Sequence, residues 1–389
     1  MKRINMERLG RVILTVLIIA LAPWAASYAA TPPQGKPIKI GVTYDYSGIT
    51  AGCGAQEGPA IEMAVKEVND AGGINGRPVE LFISDNGADP AKAIGHVQRY
   101  VQEKGCVALI VGTTSSINLA VKPWAEKNKI PAISPTAMSD KLTVFEGKAW
   151  WFRSNASNKD TVEVACIRLK EIGFTKVGYE GSAAAFGTDQ LASLKELAPK
   201  FGIKLIGEVL CEPKSKDLTI QAKSLRDTGA EAVLQAEYAN EIGVWGRALK
   251  TIGWKPYMFS TGAELTQTVE TYPKELFEGW EYWDLADNTK PFANEVWDRF
   301  RKFTGMDRRT CLVTRGYDAA RALLEAIRLS GDPDNPEAIR DGFYKIKNLP
   351  LAGGNKSSMG SFEVGRNALL GPSDIPVYVI RSGKLEIAR

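Results

Sequence analysis

Histidine is nearly absent: the 389-residue chain has one, His96. A single imidazole excludes His-rich metal sites. It also leaves a Ser/His/Asp hydrolase without a usable base, because His96 falls within 91–103, a stretch with helical apolar spacing, and reads as a helix-surface residue. Cysteine is scarce as well. Cys53, Cys106, Cys166, Cys211 and Cys311 are odd in number, scattered, and never at C-x-x-C spacing. That pattern is neither a disulfide framework nor a zinc site. Small buried apolar residues are the plain reading for most of them, and one or two disulfides of unassigned pairing stay open in an oxidising compartment. The chain also lacks G-x-x-x-x-G-K-[ST] and G-x-S-x-G, the loops of phosphate-cradling and nucleophile-elbow enzymes.

Basic excess is missing too. The formal charge is +4, but Lys2, Arg3, Arg8 and Arg11 against Glu7 place +3 of it in the first thirty residues, leaving about +1. A nucleic-acid partner therefore has no electrostatic footprint. Those thirty residues run basic, apolar (12–21), then small at Ser27-Tyr28-Ala29, the order of a cleavable secretory signal. The apolar run is short of the roughly 20 residues that span a bilayer. Residues 1–29 are expected to be removed, and the remainder exported to the periplasm. No Cys follows the expected cut, so no lipid anchor is expected there.

What remains is long enough for two domains. Apolar strand-like runs at 38–44, 79–84, 107–112 and 131–134 alternate with helical periodicity at 56–71, 90–104 and 117–128. A second run of the same kind starts near Asn155, with strands expected at 176–179, 203–210, 232–236 and 257–260. Its helices are expected at 161–172, 188–200, 218–228 and 242–252. A long helix at 316–329 and a strand pair at 375–387 close the chain. Alternation of this kind predicts an α/β protein of two doubly wound, Rossmann-like lobes, each with its own parallel sheet.

The chemistry-bearing segments follow strands. Gly52, Gly54 and Gly58 miss G-x-G-x-x-G by one place, so a dinucleotide loop is set aside and a loop bringing backbone close to a ligand is expected. Gly112-Thr113-Thr114-Ser115-Ser116 follows one buried strand and Ser134-Pro135-Thr136-Ala137-Met138-Ser139 the next. Two hydroxyl-rich loops at adjacent strand ends form an anion site, while a plain helix cap accounts for either alone. In the second run Phe186 and Tyr238 also follow strands and are expected to face the first lobe across a cleft. Trp151 is a further candidate for a flat wall. Glu237, Glu241 and Glu264 are candidate partners for a ligand cation.

Taken together these residues resemble the leucine/isoleucine/valine-binding branch of the periplasmic binding proteins that serve ABC importers. The resemblance runs through Lys39-Ile40-Gly41-Val42, Ser47-Gly48, Ala71-Gly72-Gly73-Ile74-Asn75-Gly76-Arg77-Pro78, Ile130-Pro131, Ser134-Pro135, Phe152-Arg153, Phe186-Gly187, Asp217-Leu218, Gly229-Ala230 and Tyr317-Asp318-Ala319. It implies a type I fold: two lobes, 36–154 with 285–368 and 155–284 with 369–389, joined by a three-strand hinge that closes on ligand. It implies that Ser116 and the backbone near Thr136 hold a ligand carboxylate, with Ser115 a further ligand-binding candidate. Phe186 and Tyr238 wall the pocket, and Cys53 and Leu312 stand where such proteins carry aromatic residues. Three departures are visible. Met138 replaces a usual Thr or Ser, Gly262 stands near the expected acidic partner of an α-ammonium, and Ala88 stands where a disulfide partner is expected. The implied function is capture of a small carboxylate, a hydrophobic amino acid or an aromatic or aliphatic acid, for delivery to a membrane permease. No catalysis, metal or cofactor is expected, and the chain is expected to be a monomer. A ligand sensor of the same fold, and more remotely a secreted hydrolase using Ser115 or Ser116, are the alternatives.

Overall fold

The computed structural model describes residues 32–261 and 265–388. Near-continuous apolar runs build the strands of the first sheet: β1 (Ile38–Tyr44), β2 (Val79–Asp85), β3 (Ala108–Val111), β4 (Ala132–Ser134) and β5 (Trp151–Arg153). They lie in the order β2-β1-β3-β4-β5, and every pairing is parallel. Such runs are what a sheet covered on both faces requires. The helices are α1 (Ala51–Asp70), α2 (Pro90–Gln102) and α3 (Ser115–Lys127). Asp89 caps α2, accepting from the N–H groups of Ala91 and Lys92, with Pro90 already at the first helical position.

The second sheet holds β6 (Lys176–Ser182), β7 (Lys204–Cys211), β8 (Ala232–Ala236), β9 (Tyr257–Ser260), β10 (Glu281–Trp283), β13 (Val377–Arg381) and β14 (Lys384–Ile387). Its order is β14-β13-β10-β9-β8-β6-β7, parallel except for the two C-terminal strands at one edge. Around it lie α4 (Asn158–Ile172), α5 (Ala185–Leu197), α6 (Thr219–Asp227), α7 (Ala239–Ile252) and α8 (Leu265–Thr271). The chain then returns through α9 (Pro291–Thr304), α10 (Cys311–Ser330) and α11 (Pro336–Phe343), with α10 packed along α1 on the first sheet. The hairpin β11 (Leu349–Pro350) and β12 (Met359–Gly360) precedes the last strands. The chain thus passes between the sheets three times: after β5, after β10 and before β13.

One expectation needs correcting. The glycine cluster 52–58 is not a loop but the first turns of α1. A Cβ on Gly54 would lie 2.2 Å from the Asp45 carbonyl oxygen, and one on Gly58 would lie 2.3 Å from the Tyr46 hydroxyl. The glycines let the helix start lie against the turn after β1, and that packing overrides their poor helix propensity. Short strands β5 and β10, unread in the sequence, complete the sheets. All five cysteines are buried and free. Among the described residues no helix is long and apolar enough to cross a membrane.

Asp284, which leaves β10 at one crossing, is buried. Burial pushes its carboxyl up to about 6, against the opposing effects of the Cys311 thiol and Arg315. The folded state therefore binds this proton more tightly than the unfolded chain. The stability it adds is complete below about 3.8 and is lost as pH rises through about 6. Asp284→Asn removes that loss. The wild type is expected to lose roughly 1 kcal/mol relative to the variant between pH 5 and pH 7.5, read from thermal midpoints. Parallel pH curves for the two proteins would remove Asp284 from the account.

Candidate ligand-binding cleft

The carboxyl ends of parallel strands are where open α/β sheets bind ligands, because helix N-termini and loop amides collect there. In this chain the ends of both sheets meet around one cavity. The first sheet contributes three turns. Asp45, after β1, accepts from Thr50 Oγ1 at 2.6 Å and from the Thr113 N–H at 3.1 Å, and Thr113 Oγ1 donates to Thr50 Oγ1 at 2.9 Å. This buried bridge locks the turn after β1 to the turn after β3. Thr114 caps α3, its Oγ1 accepting from the Ile117 N–H at 3.3 Å. Ser115 Oγ accepts from the Ser139 N–H at 3.2 Å, which ties in the turn after β4. Below that turn the fully buried Arg153 donates to the Met138 and Ser139 carbonyls at 3.2 and 3.4 Å. Thr50, Thr113, Thr114, Ser115 and Thr136 all line the cavity.

Arg315 of α10 lines it too, at 2% exposure. Its Nε lies 3.8 Å from Oε1 of Glu57 on α1. Glu57, with no exposed surface, accepts from Tyr44 Oη at 2.5 Å and from Thr136 Oγ1. Burial first, and then Glu57, push the Tyr44 hydroxyl well above its usual range. Tyr44 therefore stays a neutral donor to Glu57. The first sheet thus offers a floor of hydroxyls around one guanidinium whose counter-ion is already engaged. The opposite wall is largely apolar: Phe186 at the start of α5, Tyr238 at the cap of α7, and Trp283 at the end of β10. The Phe186 and Tyr238 rings lie 5.8 Å apart, tilted by 39°. Thr261, Cys53, Ala137 and Met138 complete the lining.

Of the residues singled out from sequence, Ser115, Thr136, Met138, Cys53, Phe186 and Tyr238 stand on this cavity. Ser116 is half-buried and Leu312 is wholly buried in α10; neither lines it. Gly262 and Glu264 lie outside the described residues. Glu237 is fully buried and does not reach the cavity, and Glu241 is held by the Lys214 N–H at 2.6 Å. Trp151 is buried elsewhere, and Trp283 supplies the flat wall. Sequence reasoning missed Arg315, though a signal was present. It falls three residues after Leu312 and four before Ala319, so it shares the inner face of an apolar helix.

The sequence matches the periplasmic binding protein family over residues 37–364. The chain belongs to this family. It is thus a solute-binding protein of an extracytoplasmic type, whose family and fold are not those of enzymes. This periplasmic binding protein is 26% identical over 370 residues to the Leu/Ile/Val-binding protein homolog 8 of Brucella suis, covering 90% of each chain. Among solved structures it resembles a type 1 periplasmic binding protein from Bordetella pertussis (TM-score 0.82, 21% identity, 90% of this chain and 99% of that one). It also resembles the branched-chain amino acid substrate-binding protein LivJ of Streptococcus pneumoniae in complex with isoleucine (TM-score 0.76, 21% identity, 90% and 98%). At these identities the solved structures speak for the fold, a type I periplasmic binding protein.

The two serines of α3 separate by position. Ser115→Ala is expected to weaken ligand binding by about 1–3 kcal/mol, since it removes a cavity hydroxyl and the anchor of the Ser139 N–H. Ser116→Ala keeps the backbone N–H and is expected to leave affinity unchanged. Calorimetry on both variants checks the order, and a larger loss at Ser116 would relocate the site.

Proposed function

We propose that this protein captures a small carboxylate without an α-ammonium group, of aromatic or branched aliphatic body, and delivers it to the permease of an ABC importer. The observation that carries the reading is the placement of Arg315 among the five cavity hydroxyls of the first sheet, with no Asp or Glu lining the cavity among the described residues. A buried carboxylate needs a cation and donors, and a buried ammonium needs a carboxylate. Arg315 and the hydroxyls of Thr114 and Ser115 supply the first set, the protons of Thr50, Thr113 and Thr136 being given to Asp45, Thr50 and Glu57, while Glu57 is already occupied and Glu237 and Glu241 face elsewhere. Phe186, Tyr238, Trp283 and Met138 suit a flat or branched apolar body. The Streptococcus relative, by contrast, is described with an amino acid, isoleucine.

Binding begins on the hydroxyl turns and Arg315, and rotation about the three crossings brings the aromatic wall down. Contacts across the sheets support a closed arrangement. Asp189 of α5 accepts from Ser139 Oγ and from Lys141 Nζ at 2.9 Å, and Ser193 Oγ donates to Asp140 at 2.8 Å. A ligand that bridges the two sides stabilises this state by its differential affinity for it. The test is a thermal-shift screen of paired acids, each with and without its α-amino group, since a ligand of the folded state raises the midpoint. Deaminated aromatic or branched acids are expected to stabilise the protein and their amino acids not. Stabilisation by leucine, valine or phenylalanine alone overturns the reading.

A further inference from the structure

The second sheet buries a set of ligating groups that the cleft does not use. Glu180 of β6 is in register with Gln235 of β8, and Ser182 of β6 with Cys211 of β7. Since alternate residues share a face, Glu180, Cys211, Gln235 and Glu237 project to one side of the sheet. That side is the apolar core beneath α6 and α7, containing Leu218, Ile242 and Trp245. None of the four is more than 1% exposed. One ligand atom each from Glu180, Cys211 and Glu237 lies within 4.8 Å of the others. The Cys211 Sγ to Glu180 Oε1 distance is 3.5 Å.

An independent observation points the same way. The side-chain amide of Gln235, fully buried and adjacent to Glu180, has neither its oxygen nor its nitrogen in a hydrogen bond of good geometry among the described residues. The same holds for Ser260 Oγ, in register with Gln235, for both Glu237 oxygens and for Glu180 Oε2. Two carboxyl groups and an amide with atoms left unsatisfied in an apolar core are costly. A divalent cation removes that cost by taking the anionic atoms as ligands.

We propose that Glu180, Cys211 and Glu237 bind a zinc-class divalent metal ion, with the Gln235 side-chain oxygen or a water in the fourth position. The ligand set decides the class. A thiolate with carboxylates suits a borderline-soft tetrahedral ion, whereas calcium and magnesium take six or more oxygen ligands. The geometry agrees. Arms of about 2.3 Å to sulfur and about 2.0 Å to oxygen at a tetrahedral angle set S and O about 3.5 Å apart, the separation found here. The ion would pin the ends of β6 and β7 and the residue before Tyr238, and so fix the ring that walls the ligand cavity.

Because the site is enclosed, the metal is offered during folding. Protein refolded from denaturant with cobalt(II) and then dialysed is expected to retain one ion per chain and to show a thiolate-to-cobalt charge-transfer band. Cys211→Ser abolishes the band and Glu237→Gln lowers retained cobalt several-fold. Serine at Cys53, Cys106, Cys166 or Cys311 leaves the band in place. If Cys211→Ser fails to fold, those four variants still locate the thiolate by elimination. Absence of the band in the wild type, or its persistence in Cys211→Ser, overturns the proposal and leaves a proton-sharing pair of acids. No ligand for the cleft enters the measurement, so its outcome is separate from the carboxylate reading.

Discussion

Arg315→Met is expected to weaken carboxylate binding by about 2–5 kcal/mol, from roughly 30-fold to several thousand-fold, the range for truncating one partner of a buried charge pair. The size follows from burial. The guanidinium is 2% exposed, so a ligand carboxylate facing it would have little water to fall back on. The same change leaves Glu57 without its nearby cation, and some of the loss will appear as stability rather than affinity. The double variant Glu57→Gln/Arg315→Met separates the two. Its thermal midpoint is expected to recover towards wild type while its affinity stays low. Arg315→Lys keeps the charge but not the planar fork, so it is expected to fall between. Calorimetry across the three variants measures this, and an Arg315→Met affinity within twofold of wild type would sink the assignment.

Gly316→Ala is expected to lower both stability and affinity. A Cβ there would lie 2.6 Å from the Glu57 carbonyl oxygen and 2.9 and 3.1 Å from the Glu57 Cα and carbonyl carbon. All three are backbone atoms of α1, so no side chain can rotate away, and the crossing of α1 and α10 must open. Overpacking of this kind costs about 1–3 kcal/mol, more than alanine's gain of about 1 kcal/mol in helix propensity returns. The displaced residues are Glu57 and Arg315, so affinity should fall together with the thermal midpoint. Gly95 in α2 is the control: its Cβ would meet nothing within 4 Å. Gly95→Ala is expected to stabilise by roughly 0.5–1 kcal/mol. Equal midpoints for the two alanine variants would contradict the close approach.

The elements were legible where one periodicity dominated. The runs of β1 and β3 and the 3- and 4-residue repeats of α1 and α10 are local signatures, imposed by burial of both sheet faces and of one helix face. The hydroxyl turns after β3 and β4 were legible for a topological reason, since parallel neighbours place their carboxyl ends side by side. The three-residue strands β5 and β10 were too short to show alternation. The start of α1 was misread because glycine spacing carries the same local signal in a phosphate loop and in a close helix contact.

By itself, then, the sequence determined that this is an α/β chain with two sheets, that hydroxyl-rich turns follow β3 and β4, and that aromatic residues follow strands of the second run. These are consequences of patterns within about twenty residues of chain. Only the tertiary structure decided that Arg315 faces those hydroxyls with Glu57 as its counter-ion, that Trp283 rather than Trp151 walls the cavity, and that Glu237 turns away toward Cys211. Each of these joins residues far apart in sequence, and a charge in an apolar helix face or at a strand end has no preferred partner until packing supplies one. The close crossing of α1 and α10 at Gly316 places the guanidinium beside Glu57.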